Sequence, residues 1–270
     1  MFNQSASESQ LFRSETALTT GHTPDQPAGR ETEAARIADA VRPLTRRQPP
    51  ENLLIYGPAG VGKTTFVNHV LDNLATETRV TTAAINCWRY NTRSALLTEL
   101  LIQLGYPAPR KGRPVDTLLA TLQEWLDKHQ GAAVVLDEFD RLDHQTEIAY
   151  DLQQTADEAA NDLGLVLVSN QPPAGLQLAA RSQSRLTYQT LEFQPYTVEE
   201  LVAILDQRAE YAFQRGTVAD EALELIAATV ADQDGDCRHA LDLLRRAGRQ
   251  AEHEEAEELT AAHVEQQLNS

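Results

Sequence analysis

The sequence predicts an α/β protein with a five-stranded parallel sheet, followed by a small all-helical domain. Over the first two thirds of the chain, short apolar runs alternate with apolar residues at helical spacing, and several runs are apolar on both faces. Such runs are typical of parallel strands covered by helices on both sides. After Pro195 the strands stop. We therefore predict a flexible N-terminal arm (1–28), a core (29–195) and a helical domain (196–270).

The individual elements follow from this pattern. Residues 1–28 are rich in Ser, Thr, Gln and Pro with little periodicity, which favours a mobile arm. A helical stripe from Arg30 ends at the Pro49-Pro50 pair. Amphipathic stripes and a cap at Thr260 predict the helices of the last domain. The predicted strands are 52–56, 80–87, 132–136, 165–169 and 186–193.

The charge balance is strongly acidic. The 270 residues include 40 Asp and Glu against 23 Lys and Arg, a formal net charge of -17, and only three of the cations are lysines. Nucleic-acid binders normally carry a basic face, so the charge by itself argues against that class. A lysine-poor, uniformly acidic surface is instead typical of a halophilic protein working at molar salt, where the screening length is about 3 Å.

Cysteine usage and hydropathy indicate a reduced, cytoplasmic protein. Cys87 and Cys237 are too few for a disulfide framework, and no Cys/His cluster has the spacing of metal ligands. The N-terminus lacks the pattern of a signal peptide, and no apolar run approaches the roughly 20 residues of a membrane span. We expect neither export nor membrane association.

The strongest motif is a phosphate-binding loop, the Walker A pattern, between the first strand and the following helix. Backbone N–H groups of such a loop surround phosphate oxygens at a helix N-terminus. Lys63 is expected to neutralise the β- and γ-phosphates of ATP, and Thr64 to ligate Mg²⁺. The predicted nucleotide-binding residues here are Gly57, Pro58, Ala59, Gly60, Val61, Gly62, Lys63, Thr64 and Thr65.

Polar residues end the third and fourth strands. Asp137 and Glu138 follow a buried strand and fit the Walker B pattern, with Asp137 as the second Mg²⁺ ligand and Glu138 polarising the attacking water. Asn170 ends the next strand and is expected to reach the γ-phosphate or that water, because parallel strands end at the ligand crevice. Asp140 is equally consistent with local capping and with support of the site.

These motifs, in this order, resemble an AAA+ ATPase. Within that superfamily the chain is most similar to the archaeal origin-recognition and cell-division-control replication initiators, over about residues 27 to 268. The most specific phrases are Ile85-Asn-Cys-Trp88, Asp137-Glu-Phe-Asp-Arg-Leu142, Phe193-Gln-Pro-Tyr-Thr-Val-Glu-Glu-Leu201 and Gly235-Asp-Cys-Arg-His-Ala-Leu-Asp-Leu-Leu-Arg245.

The resemblance implies an AAA+ P-loop core and a helical lid with ATP or ADP bound between them. Asn170 matches the family's first sensor and Arg238 the second, an arginine that the lid brings to the γ-phosphate. Arg181 and Arg185 both fall where the family places its arginine finger, which acts on the nucleotide of an adjacent initiator subunit, and the choice between them stays open. Tyr196 matches a position near the adenine.

Initiators of this kind continue into a winged-helix domain that grips DNA, and we expect this chain to lack it. We therefore expect only a weak contact with double-stranded DNA, through the segment that follows the second strand. The alternative is that the cations of this segment belong to a solvated loop without a DNA contact. They are Arg89, Arg93, Arg110, Lys111 and Arg113.

Two functions follow. The leading hypothesis is an ATP-hydrolysing switch of the replication initiator type, slow and Mg²⁺-dependent. The alternative is a non-enzymatic or weakly hydrolysing adaptor that acts with full-length initiators or a mobile-element machinery. The intact Asp137-Glu138 pair favours the first hypothesis, and the missing DNA domain favours the second.

Overall fold

A computed structural model of the chain describes residues 11–19, 21–107, 112–176 and 187–269. It contains two compact units. The α/β unit comprises Glu31–Pro58 and Lys63–Phe193, and the helical unit comprises Met1–Arg30, Ala59–Gly62 and Gln194–Ser270. The predicted boundaries at 29 and 196 lie close to these divisions, except that four residues of the phosphate loop group with the helical unit.

The α/β unit is built on one sheet whose order is β2-β3-β4-β1-β5. All four neighbouring pairs are parallel, which confirms the predicted five-stranded parallel sheet. The inner strands β3 and β4 are buried along almost their whole length, and for this reason they appear in the sequence as continuous apolar runs. The strands are β1 (Asn52–Tyr56), β2 (Thr81–Asn86), β3 (Ala132–Asp137), β4 (Leu163–Ser169) and β5 (Tyr188–Glu192).

Among the described residues, five α-helices accompany this sheet. Three of them, α3, α4 and α5, pack on the face that carries Val134 and Leu136, while α1 packs against α2 and β1. Strands β1, β3 and β4 therefore belong to a layer that is packed against helices. The helices are α1 (Glu31–Val41), α2 (Lys63–Glu77), α3 (Arg93–Gln103), α4 (Val115–Lys128) and α5 (Gln145–Glu158).

In the helical unit, the part of the chain that the structure describes contains four further α-helices, as predicted. At the start of α6 the side chain of Thr197 accepts from the Glu200 N–H while Glu200 accepts from the Thr197 N–H, a reciprocal cap that satisfies two backbone donors. Thr260 and His263 cap α9 in the same way. The helices are α6 (Val198–Ala212), α7 (Asp220–Gln233), α8 (Cys237–His253) and α9 (Ala261–Leu268).

The structure corrects the predicted flexible arm over residues 11–19, which we call the N-terminal strap. Leu11 and Leu18 are buried in the core of the helical unit, and the Phe12 ring stacks on Phe213 with centroids 4.5 Å apart. The Glu15 carboxylate lies 2.5 Å from Arg249 Nε on α8. The strap has too few apolar residues, at no regular spacing, to show this packing in its sequence.

Within the described ranges no helix combines the length and the apolar character that crossing a membrane requires.

Candidate functional site: a nucleotide-binding loop and three strand ends

The phosphate loop leaves β1 at a position that only glycine can occupy. Gly57 has φ +151°, and a Cβ there would lie 2.2 Å from the carbonyl oxygen of Phe193. This close approach arises because the Phe193 N–H donates to the Tyr56 carbonyl at 2.8 Å, which extends the β1–β5 pairing beyond the strands. The first glycine of the motif is thus fixed by the sheet itself.

Lys63 begins α2, and its ammonium group is surrounded by oxygens. The side chain is 7% exposed, and Nζ donates to the Gly57 carbonyl at 2.7 Å, to the Pro58 carbonyl and to Asn170 Oδ1 at 3.0 Å. Lys63 and Asn170 are 107 residues apart in sequence. The structure therefore brings together the lysine of the loop and the polar residue at the end of β4, as the strand-end argument predicts.

Thr64 and Asp137 form the second contact between the loop and the strand ends. The Thr64 hydroxyl lies 3.2 Å from Asp137 Oδ1 and 3.1 Å from Oδ2. Burial raises the pKa of the Asp137 carboxyl, although the bonds from Thr64 and from the Glu138 N–H oppose this shift. A bound cation would stabilise the ionised carboxylate in the same way.

The donor set at Asp137 fits Mg²⁺. Hydroxyl and carboxylate oxygens are the ligands that this ion prefers, and it usually takes only one or two from protein, with phosphate oxygens and waters supplying the rest. Among the described residues there is no cluster of three or more His, Cys, Asp or Glu that would form an all-protein metal cage. Thr64 and Asp137 are therefore the residues that would hold Mg²⁺ together with a nucleotide.

Glu138 follows β3 in a left-handed conformation, with φ +54°. Its Oε2 accepts from the side-chain amide of Asn86 at 3.0 Å. Asn86 Oδ1 in turn accepts from the Arg89 N–H at 3.0 Å. Sequence reasoning missed Asn86, although a signal exists: it is the polar last residue of β2, and it pairs in register with Asp137.

Asp140 lies in the single helical turn Phe139–Arg141 after β3. Its Oδ1 accepts from the backbone N–H of Asn170 at 2.9 Å, which connects the exits of β3 and β4. The sequence left its role open between capping and support of the site. This contact favours support, because the partner is a predicted site residue 30 positions away.

In the helical unit, the start of α8 packs against loop residue Gly60. The Cys237 N–H donates to the Gly60 carbonyl at 3.2 Å, and Asp236 Oδ1 caps α8 by accepting from the Arg238 N–H at 2.7 Å. A Cβ on Gly60, which has φ +75°, would lie 1.7 Å from Asp236 Oδ1. Arg238 itself is exposed, one residue beyond this contact.

Tyr196 is a buried residue of the helical unit. It is 4% exposed, and the Arg30 guanidinium carbon lies 4.1 Å from the centroid of its ring. Arg30 Nη1 also pairs with Glu200 Oε1 at 3.2 Å. Burial raises the pKa of the Tyr196 hydroxyl. The predicted contact of Tyr196 with adenine stays a prediction.

The structure separates the predicted DNA-contacting cations. Arg93 makes an ion pair between α3 and α5, with its Nε 3.0 Å and its Nη2 2.6 Å from Asp151 Oδ2, so its predicted contact with DNA stays a prediction. Arg89 is exposed and lies 5.4 Å above the Tyr90 ring, and Arg113 is half-buried. Outside the described residues lie Arg110 and Lys111, and also both candidate arginine fingers, Arg181 and Arg185.

Two family models match this chain, one over the phosphate loop and most of the sheet and the other over the helices after β5. A family model described as the AAA domain matches residues 46–172, and one described as the Cdc6 AAA+ ATPase-type lid domain matches residues 202–267. The ORC1-type DNA replication protein 1 of Sulfurisphaera tokodaii is 34% identical over 266 residues, covering 96% of this chain and 67% of the relative. The chain belongs to the ORC1/Cdc6-type AAA+ family.

Other members of the ORC1/Cdc6 family show the same extent of similarity. The ORC1-type DNA replication protein 1 of Archaeoglobus fulgidus is 32% identical over 98% of this chain and 66% of its own length. The Aeropyrum pernix ORC1 protein, whose structure was solved in complex with DNA, superimposes with a TM-score of 0.83 at 31% identity over 97% of this chain and 70% of that one. The chain spans about two thirds of the length of the curated relatives it matches.

Family membership agrees with the resemblance found in the sequence. The AAA match contains the phosphate loop, Asp137, Glu138 and Asn170, and the lid match extends from α6 into α9. The sequence-based assignment to an AAA+ protein of the initiator type, with a parallel sheet and a helical lid, is confirmed.

Proposed function

We propose that this chain is an ATP-dependent switch of the replication initiator type, which binds ATP with Mg²⁺ and hydrolyses it slowly. One observation carries the proposal: four side chains, two from the start of α2 and one each from the ends of β3 and β4, lie within hydrogen-bonding distance in two pairs. Lys63 Nζ lies 3.0 Å from Asn170 Oδ1, and the Thr64 hydroxyl lies 3.1 Å from Asp137 Oδ2. A lysine, a hydroxyl, a carboxylate and an amide in this order along the chain match the requirements of phosphoryl transfer.

Each residue has a distinct task in this proposal. Lys63 exchanges its carbonyl partners for β- and γ-phosphate oxygens, and Asn170 turns its amide to the γ-phosphate or the attacking water. Glu138 orients that water and accepts its proton. Thr64 and Asp137 hold Mg²⁺, which would neutralise charge on the phosphates.

We infer three further contributions from family membership. Arg238 supplies a cation to the γ-phosphate, and Tyr196 contacts the adenine. Arg181 or Arg185 acts on the nucleotide of a neighbouring initiator subunit, identical or different, which makes turnover depend on assembly. ATP then favours the assembled state, and hydrolysis to ADP releases it.

ATP turnover measured at high salt tests the enzymatic proposal. We expect Glu138→Gln to bind ATP normally but to lose turnover by about 10²–10⁴-fold, and Lys63→Ala to weaken ATP binding. Lys128→Ala is the matched control, because this lysine is 71% exposed on α4. Equal turnover in all four proteins would exclude hydrolysis at this site. Tight ATP binding with no turnover in the parent would support the adaptor hypothesis instead.

We further propose a weak contact with double-stranded DNA through the exposed Arg89 together with Arg113, Arg110 and Lys111. Support comes from the solved relative, the Aeropyrum pernix ORC1 protein in complex with DNA. Because few phosphates would be contacted, the dependence of affinity on salt should be shallow. Titration of DNA at several salt concentrations, with and without ATP, should show weaker binding for Arg89→Ala and no change for Arg46→Ala, which removes an exposed arginine ahead of β1.

A further inference from the structure

Asp140 is a carboxylate whose burial is unexplained by phosphate or metal binding. Its side chain is only 7% exposed, and a buried carboxylate is costly unless hydrogen bonds or charges satisfy it. Asp140 follows the proposed Mg²⁺ ligand Asp137 by three residues, yet it lies in the turn after β3 rather than on the strand. Its side chain contacts the Asn170 N–H and, at 3.5 Å, Arg141 Nε.

The contact with Asn170 is made where the sheet ends. The β3–β4 pairing stops at Leu136 and Leu167, and the β1–β4 pairing stops at Tyr56 and Ser169. Asn170 is the next residue, so its backbone N–H lies beyond both ladders. Asp140 Oδ1 accepts that N–H at 2.9 Å and replaces the missing strand partner.

A second interaction fixes the same turn from its other side. The Ser169 hydroxyl donates to the Gln171 carbonyl and accepts from the Gln171 N–H, both at 2.8 Å. With Ser169 and Asp140 holding the backbone on either side of Asn170, its side chain leaves the turn in one direction. In that direction its Oδ1 reaches Lys63 Nζ at 3.0 Å.

We propose that Asp140 is a positioning residue for ATP hydrolysis. Through the backbone of Asn170 it sets where the Asn170 amide lies relative to Lys63, and therefore relative to the γ-phosphate and the attacking water; it does not itself touch nucleotide or Mg²⁺. The inference rests on the proposed function of the site. What Asp140 must supply is one hydrogen-bond acceptor, and its negative charge is incidental.

Three variants separate this role from the others. Asp140→Ala removes the acceptor, Asp140→Asn keeps a carbonyl oxygen that accepts the same N–H while it removes the charge, and Asn170→Ala removes the group that is positioned. We expect Asp140→Ala to lower kcat about tenfold with KM for ATP unchanged, in line with the loss of one hydrogen bond to a buried carboxylate. Asp140→Asn should retain more than half of the parental kcat. The double variant Asp140→Ala/Asn170→Ala should be no slower than Asn170→Ala, because both changes act through one group.

Hydrogen exchange of the peptide that contains Asn170 provides a readout that does not depend on turnover. The Asn170 amide should exchange faster in Asp140→Ala than in the parent and at the parental rate in Asp140→Asn. An unchanged rate in Asp140→Ala would overturn the proposal whether or not the protein hydrolyses ATP. Equal loss of kcat in Asp140→Ala and Asp140→Asn would also overturn it. So would a double variant whose kcat is about tenfold below that of Asn170→Ala, the factor expected for Asp140→Ala alone.

Failure of the proposed function has a different signature. In that case Glu138→Gln does not reduce ATP turnover below that of the parent. The Asn170 amide nevertheless exchanges faster in Asp140→Ala and at the parental rate in Asp140→Asn. Asp140 would then be an element of the turn alone, and the positioning role would be rejected. Unchanged ATP affinity in Asp140→Ala and Asp140→Asn shows that the loop and the sheet are folded.

Discussion

The side-chain amide of Asn86 donates to Glu138 Oε2 at 3.0 Å and so connects the end of β2 to the residue that we propose as the catalytic base. Asn86→Asp keeps the acceptor for the Arg89 N–H but places a carboxylate against a carboxylate. We expect turnover to fall about tenfold or more, because repulsion turns Glu138 away from its position, with ATP affinity unchanged.

The control for Asn86 is Gln103→Ala. Gln103 Oε1 accepts from the Ala84 N–H at 2.9 Å, so this variant also removes a side-chain bond to β2 but leaves Glu138 untouched. Parental turnover in Asn86→Asp would show that Glu138 does not depend on Asn86 for its placement.

Thr64 supplies a hydroxyl next to the Asp137 carboxylate, at 3.1 Å. We predict that Thr64→Ala raises the Mg²⁺ concentration needed for half-maximal ATP turnover roughly tenfold, because one oxygen donor is lost from the proposed metal site. Thr64→Ser retains the hydroxyl and should respond to Mg²⁺ like the parent. Identical Mg²⁺ titrations for Thr64→Ala and the parent would exclude Thr64 as a ligand.

The N-terminal strap is predicted to stabilise the helical unit. Phe12 is 8% exposed and stacks on Phe213, so Phe12→Ala should lower the free energy of unfolding of that unit by about 3 kcal/mol. Hydrogen exchange in peptides from α6 and α8 measures the effect locally. Thr16→Ala, at an exposed position of the strap, should change nothing. Unaltered exchange in Phe12→Ala would mean that the strap adds no stability.

Both cysteines are predicted to be unreactive in the folded protein. Burial raises the pKa of the Cys87 thiol and raises that of Cys237 to about 11. The thiol is the stable form below the raised pKa, so at pH 8 only about one Cys237 in a thousand is thiolate, the reactive form. Ellman's reagent at pH 8 should label neither residue in buffer and both in guanidinium chloride. Fast labelling of one equivalent in buffer would contradict this prediction.

The net charge of -17 predicts a stability that rises with salt. Repulsion among surface carboxylates opposes the compact state and is screened as the Debye length falls to about 3 Å at 1 M. The midpoint of thermal unfolding should therefore increase with KCl over this range. Sucrose at equal osmolality should raise it much less. A midpoint that does not depend on KCl would reject adaptation to high salt.

The role of a residue could be predicted where neighbouring residues in the sequence form a recognisable pattern. It could not be predicted where the role depends on a contact with a distant part of the chain. The sheet and the phosphate loop follow from apolar runs and from spacing, and the end of β4 marks Asn170. Asn86 carries the same strand-end signal at the end of β2, but its bond to Glu138, like the bond of Asp140 to Asn170, joins residues from different strands and has no local signature. The ion pair of Arg93 was not predictable for the same reason, since its partner Asp151 lies 58 residues away.

The strap shows the same limitation on a larger scale. Its four buried side chains contact helices that come near the other end of the sequence, and no window of local sequence contains both partners. The composition of residues 1–28 is polar overall, but four apolar side chains suffice to pack residues 11–18 into the core of the helical unit. The mobility predicted for this segment assumed that it packs against no other part of the chain.

The strap also has a consequence for synthesis on the ribosome. The backbone of Leu11 bonds to Glu252, 241 residues later. At about 5 to 20 residues per second, the nascent chain carries Leu11 and Phe12 without their partners for roughly 10 to 50 s. During that interval these apolar side chains are available to chaperones or to neighbouring chains, and the helical unit is completed only after translation of α9.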